Sequence, residues 1–204
     1  MPDFSYEDRV SGLVAGVDEV GRGPCAGPVT AAAVVLNRET IPDSLLDQLD
    51  DSKKISPGKR ERIAESLLDY AWISIAEASV VEIDEINILQ ASLLAMKRAV
   101  EGLSVPIAQA LIDGNKAPSL LVPAQTVVKG DSRSYSIAAA SIVAKVDRDQ
   151  LMHRLDAQYP EYSWANNAGY GTAAHLQALE QYGVTPHHRQ SFAPVRRQLE
   201  KEAA

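Results

Sequence analysis

The chain of 204 residues carries 20 Lys and Arg against 27 Asp and Glu, a formal net charge of −7, with 46% hydrophobic and 23% charged residues. This balance suits a globular protein with a continuous core and argues against disorder, while the acidic surplus argues against a phosphate-binding surface spread over the whole molecule. No run reaches the ~20 apolar residues of a membrane helix, MPDFSYEDRV lacks a basic-then-apolar leader, and Cys25 is the only cysteine, so a cytoplasmic chain with no internal disulfide and an inert, packed thiol is expected.

The apolar runs at 13–17 and 28–36 predict two strands joined by the loop GVDEVGRGPCAGP. Ser56-Pro57 predicts a helix start, with Ile63, Leu67 and Tyr70 at helical spacing, and 72–78 predicts a strand. Ser79 and Glu82 form a capping box ahead of a helix whose apolar stripe is Ile86, Leu89, Leu93, Met96 and Val100, stopped by Gly102. Strands follow at 107–112 and 125–128, then a helix over 135–157 whose alanines and serines permit close packing on a sheet, and two short helices at 172–182 and 193–200. The order predicts a single domain over 1–204, an α/β core with a helical C-terminal extension from about residue 160.

Gly21-Arg22-Gly23-Pro24-Cys25-Ala26 formally fits the G-x-G-x-x-A dinucleotide fingerprint. The fit fails on context, because Pro28 leads into TAAAVVL, a strand, and no helix N-terminus follows to receive a pyrophosphate. What remains is a tight turn with exposed acids or a charged site. Adjacent Asp18 and Glu19 point to opposite faces within a regular strand, so shared use of them predicts a strand end or kink.

Asp113 in LIDGN and Asp131 in VVKGDSRSYS, taken singly, are a turn residue and a helix cap. Together with Asp18 they sit at the ends of three strand candidates, which suggests that they and Glu19 converge on one sheet edge, where α/β proteins bind ligands. Four crowded carboxylates require hard cations. Oxygen ligands, with no Cys/His cluster of zinc spacing, favour Mg²⁺ or Mn²⁺, and paired ions about 3.5–4 Å apart suit attack on a phosphodiester. Arg22 would then take a phosphate or sugar. Lys53, Lys54 and Lys145 are candidate phosphate contacts or solvated surface, and His187, His188 and Arg189 are either neighbours of a substrate or fill loop or capping roles.

The blocks GVDEVGRGPCAGPV, DSKKIS, LIDGN, KGDSRSYSIAAASIVAKVDRD, GYGTAAH and HHRQSFAPV, spanning about 13–195, resemble those of bacterial ribonuclease HII. The resemblance implies a ribonuclease H-like fold, a mixed sheet flanked by helices with a C-terminal segment closing over a duplex. It implies cleavage of the RNA strand of RNA–DNA hybrids, and incision 5′ to single ribonucleotides in duplex DNA, using two Mg²⁺ or Mn²⁺ ions on Asp18, Glu19, Asp113 and Asp131. It gives Gly21, Arg22 and Gly23 the task of recognising the 2′-hydroxyl and its phosphate, and Tyr170 that of packing on the next sugar. Val20 and Cys25 depart from the family's usual alanine and leucine without removing a ligand. A monomer is expected; the tail KEAA carries no clear partner motif, so a sliding-clamp partner finds no support there. The alternative from another class is a catalytically silent hybrid-binding protein, against which the four retained acids argue.

Overall fold

The computed structural model describes residues 2–203. At its centre lies β2 (Val29–Leu36), with all eight residues buried. An unbroken apolar strand needs cover on both sheet faces. Ala32, Val34 and Leu36 form one cluster with Ile63 and Leu67 of α2 (Pro57–Leu67) and with the alanines of α4 (Tyr135–Gln158). Val29, Ala31 and Ala33 form another with Ala91, Ala95 and Ala99 of α3 (Val80–Glu101).

β2 pairs antiparallel with β1 (Val14–Val20) and β3 (Ala71–Ala78). On its other side β1 pairs parallel with β4 (Gln109–Asp113), and β4 with β5 (Ala124–Val127), giving the order β3-β2-β1-β4-β5. The mixed sheet flanked by helices is the architecture expected, and the β1–β2 connection is a strand-to-strand loop without a helix, as the failed dinucleotide fingerprint requires. Alanine-rich facing surfaces bring α4 very close to the sheet: a Cβ built on Gly16 of β1 would lie 2.0 Å from the Ser136 carbonyl carbon.

The helix predicted after Ser79 forms with its capping box, Ser79 N–H donating to Glu82 Oε2 at 2.8 Å and Glu82 N–H to Ser79 Oγ at 3.2 Å. Only the C-terminal part of its predicted apolar stripe is buried: Met96 and Val100 belong to the core, with Leu93 packed against it. At Asn87 the backbone takes φ 67°, ψ 162°, a region that side chains rarely occupy, and the helix restarts there with Asn87 Oδ1 accepting from Leu89 N–H and Gln90 N–H. The interruption resets the helical phase. Ile86 is left exposed, and the face buried on the sheet is Ala91, Ser92, Ala95, Met96, Ala99 and Val100. Periodicity read straight through a kink cannot give that face.

Ser56 stands at the N-cap of α2 but makes no side-chain cap bond, and Tyr70 falls beyond the helix end. Two short helices lack the length for a periodic signal and were not anticipated, α1 (Asp43–Leu46) and α5 (Trp164–Asn167). α6 (Ala173–Tyr182) and α7 (Ala193–Glu202) lie where predicted, α6 capped by the Thr172 hydroxyl. Beneath them Trp164 is fully buried and stacks on Tyr162 with ring centroids 5.1 Å apart. No helix among the described residues is long and apolar enough to cross a membrane.

Candidate active site

β1 keeps its ladder with β2 through Glu19↔Ala31 and Val20↔Thr30, whereas its pairing with β4 ends at Val17↔Ile112. Asp18 and Glu19 therefore lie inside a regular strand, not at the kink or full strand end that was expected. Alternation sends Asp18 toward α4, on the face of Gly16, and Glu19 toward α3, on the face of Val17. Both nonetheless reach the same place, because β4 stops beside them and opens the sheet edge. Asp113, the last residue of β4, borders the same cleft of about 400 Å³.

Asp131 reaches the cleft from a 3-10 turn, Gly130–Ser132, entered through Lys129 in the left-handed conformation. The turn is tied to β4 by Gly130 N–H, which donates to Asp113 Oδ1 at 2.6 Å. Burial first, then Glu19 and Asp113, pushes the Asp18 carboxyl well above its usual range, and the Ser141 hydroxyl of α4 works against the rise. Ser141 is itself 2.9 Å from the Ser52 hydroxyl. Burial also raises Glu19, opposed by Arg22, and raises Asp131, reinforced by Asp113. The four acids share one cleft, yet no three among the described residues are gathered tightly enough to cage a metal as they stand. Three of the four have a competing partner: Asp18 Oδ1 accepts from Glu19 N–H, Glu19 from Arg22 at 3.2 Å, and Asp113 from Gly130.

Gly21 has φ 93°, and a Cβ there would meet Arg148 Nε at 2.2 Å, so both the backbone and the space demand glycine. Gly23 faces the half-exposed Tyr170, whose ring would lie 3.0 Å from an added Cβ. Lys53 and Lys145 border the cleft, the latter paired with Asp149. Lys54 does not; its ammonium holds Asp50 at 3.0 Å.

Arg189 has one of the two roles expected of it, holding a loop, and the loop it holds is the one beside the acids. Arg189 is fully buried, and every acceptor of its guanidinium is a backbone carbonyl: Gly27 at 2.8 Å from Nε, Arg22 at 3.0 Å from Nη1, Gly21 at 2.6 Å and Pro28 at 3.1 Å from Nη2. Arg148 of α4 likewise donates to Pro28, Ala26 and Ala168. Burial and Arg148 bring Arg189 down to about 9, so it remains cationic at neutral pH. The available signal was an arginine among His187, His188 and Ser191, with no acid beside it in sequence.

Beside it, two buried histidines fix each other's tautomers. His175 Nδ1 donates to the Tyr170 carbonyl at 2.9 Å, leaving Nε2 as acceptor for Trp164 Nε1–H at 3.0 Å. Thr185 N–H donates to His188 Nδ1, so His188 Nε2–H donates to the same His175 nitrogen at 3.1 Å. An added proton would set donor against donor. Burial, His175 and His187 hold His188 down to about 3, and burial lowers His175. The unfolded chain binds these protons near pH 6.5 and the folded one does not, so their contribution to stability is complete above that pH and is lost as pH falls. Between pH 7.5 and 5 the stability advantage of the wild type over His188→Gln is expected to shrink by about 2 kcal/mol in urea unfolding. A pH-independent advantage would refute the neutral-pair assignment.

A mixed five-stranded sheet, helices on both faces and acids collected where β4 ends beside a continuing β1 define a ribonuclease H-like protein. The model of the family described as Ribonuclease HII matches residues 15–195. Relatives bearing the name Ribonuclease HII are 56% identical over 195 residues in Paramagnetospirillum magneticum, covering 96% of this chain and 97% of the relative, and 57% identical over 205 residues in Rhodospirillum rubrum, covering 100% and 94%. The crystal structure of ribonuclease H2 from Pyrococcus horikoshii superposes with a TM-score of 0.74 at 26% identity, covering 93% of this chain and 98% of that one. The chain belongs to the ribonuclease HII family, and is with it an enzyme, a hydrolase of the endonuclease type.

Proposed function

We propose that the enzyme cuts the RNA strand of RNA–DNA hybrids and incises duplex DNA on the 5′ side of a single ribonucleotide, leaving 3′-hydroxyl and 5′-phosphate ends, and so serves ribonucleotide removal from DNA. The observation that carries this is the sharing of one cleft by four carboxylates, the Gly21-Arg22-Gly23 loop and Tyr170.

The donor set is oxygen-only, and Asp18 is buried without a neighbouring cation, so a hard divalent ion supplies the charge the site lacks. Asp18, Glu19, Asp113 and Asp131 would hold two Mg²⁺ or Mn²⁺ ions; bound there, the pair provides an activated water and countercharge for the leaving 3′-oxygen. Arg22 exchanges the Glu19 carboxylate for the substrate's phosphate. The exposed peptides of the loop meet the 2′-hydroxyl, which is recognised and not consumed. Tyr170, opposite Gly23, packs on the following sugar, while Lys53 and Lys145 contact flanking phosphates; Lys54 must first leave Asp50 to do the same.

Incubation with Mg²⁺ and a duplex carrying one ribonucleotide, beside a continuous hybrid and an all-DNA duplex, tests this directly. The expected result is a single cut 5′ to the ribonucleotide, with no cut in all-DNA. Intact single-ribonucleotide duplex in both Mg²⁺ and Mn²⁺ would overturn the proposal.

A further inference from the structure

The loop's inward side is held by a cation. In a trans peptide the C=O of one residue and the N–H of the next point in opposite directions. Arg189 takes the carbonyls of Gly21 and Arg22, with 2.6 and 3.0 Å contacts, and those two peptides carry the N–H groups of Arg22 and Gly23. Both N–H groups are therefore turned away from the buried guanidinium. Neither has a protein acceptor among the described residues, and both residues are exposed and line the acidic cleft.

We propose that Arg189 is the positioning residue of this loop: its guanidinium aims the Arg22 and Gly23 N–H groups into the cleft as a paired donor site for the ribose 2′-oxygen and the adjoining phosphate. The inference rests on the ribonucleotide specificity proposed above and assigns its physical origin. A planar fork suits the task, because two carbonyls on successive peptides must be held at once, which an ammonium on a flexible stem cannot do as rigidly. The unneutralised charge behind the peptides also strengthens their N–H groups as donors toward an anion. Arg148 provides an internal comparison: it is equally buried, but its acceptors are Ala26, Pro28 and Ala168, outside the two peptides in question.

The test measures affinity for a duplex with one ribonucleotide and for the same all-DNA duplex, with Ca²⁺ replacing Mg²⁺ to prevent cutting. The wild type, measured first, is expected to prefer the ribonucleotide; no preference would overturn the specificity proposal itself, and this inference with it. Arg189→Lys is expected to lose the preference by roughly tenfold or more, with all-DNA affinity changed less than about twofold. An unchanged ratio in Arg189→Lys, or an equal fall in affinity for both duplexes, would overturn the positioning role. Should the Lys variant fail to fold, amide NMR of the wild type decides: the Arg22 and Gly23 N–H resonances shift with the ribonucleotide duplex and not with all-DNA if the inference holds, and shift equally with both if it does not.

Discussion

Asp18→Asn is expected to reduce cleavage by roughly a thousandfold or more, while the metal-free protein becomes more stable. Asn nearly preserves the shape of the side chain and removes a charge that burial, Glu19 and Asp113 all oppose. Since the native state resists ionising this carboxyl, its contribution to stability is greatest when protonated and declines as pH rises through its elevated pKa, so at neutral pH the wild type carries a cost that the variant escapes. Thermal unfolding in EDTA and in Mg²⁺ separates the two effects. Mg²⁺ is expected to raise the melting temperature of the wild type and to do little for Asp18→Asn. A variant that cuts normally in saturating Mg²⁺ would remove Asp18 from the catalytic set, and one that melts lower in EDTA would make its role structural.

Gly16→Ala is expected to be the most damaging single-methyl change in the sheet. The new Cβ would lie 2.0 Å from the Ser136 carbonyl carbon, 2.2 Å from the Ile137 nitrogen and 2.3 Å from the Ser136 oxygen. All three are backbone atoms in the first turn of α4, so no rotamer change relieves the overlap; helix and sheet must move apart by about an ångström. That separation would disturb packing along Ala138, Ala139 and Ala140 and would shift Ser141 away from Asp18. A loss of roughly 3–5 kcal/mol follows from overpacking at a site that cannot yield, a lowering of the melting temperature by about 10 °C at this chain length. Unchanged melting would mean that α4 sits farther from β1 in solution.

Local rules made most of the sheet legible in the sequence. The apolar run at 28–36 announced the strand β2, and Ser79 with Glu82 announced the start of α3. The phase of α3 stayed hidden, because an asparagine in a backbone region foreign to most residues leaves no mark on a hydrophobic pattern. The four acids and their convergence on one sheet edge were legible, but the geometry of their meeting was not. It depends on β4 ending beside a β1 that continues, a matter of register between strands nearly a hundred residues apart. The partners of Arg189, His175 and His188 were hidden for a related reason: they are carbonyls and ring nitrogens distant in sequence, and no spacing rule reports a buried cation satisfied by main chain.

The contact between Arg189 and Gly21 joins positions 168 apart. During synthesis the two ends of that contact become available at very different times. Once residue 131 has left the ribosome all four acids exist, and β1, β4 and the turn bearing Asp131 have the sequence they need to meet; the loop beside them has no guanidinium to hold it until residue 189 emerges. At about 5–20 residues per second, the remaining residues take several seconds to add. The four acids thus precede the guanidinium that holds the adjacent loop, and a nascent chain in that interval would have its acidic cleft without the Arg189 contacts in place.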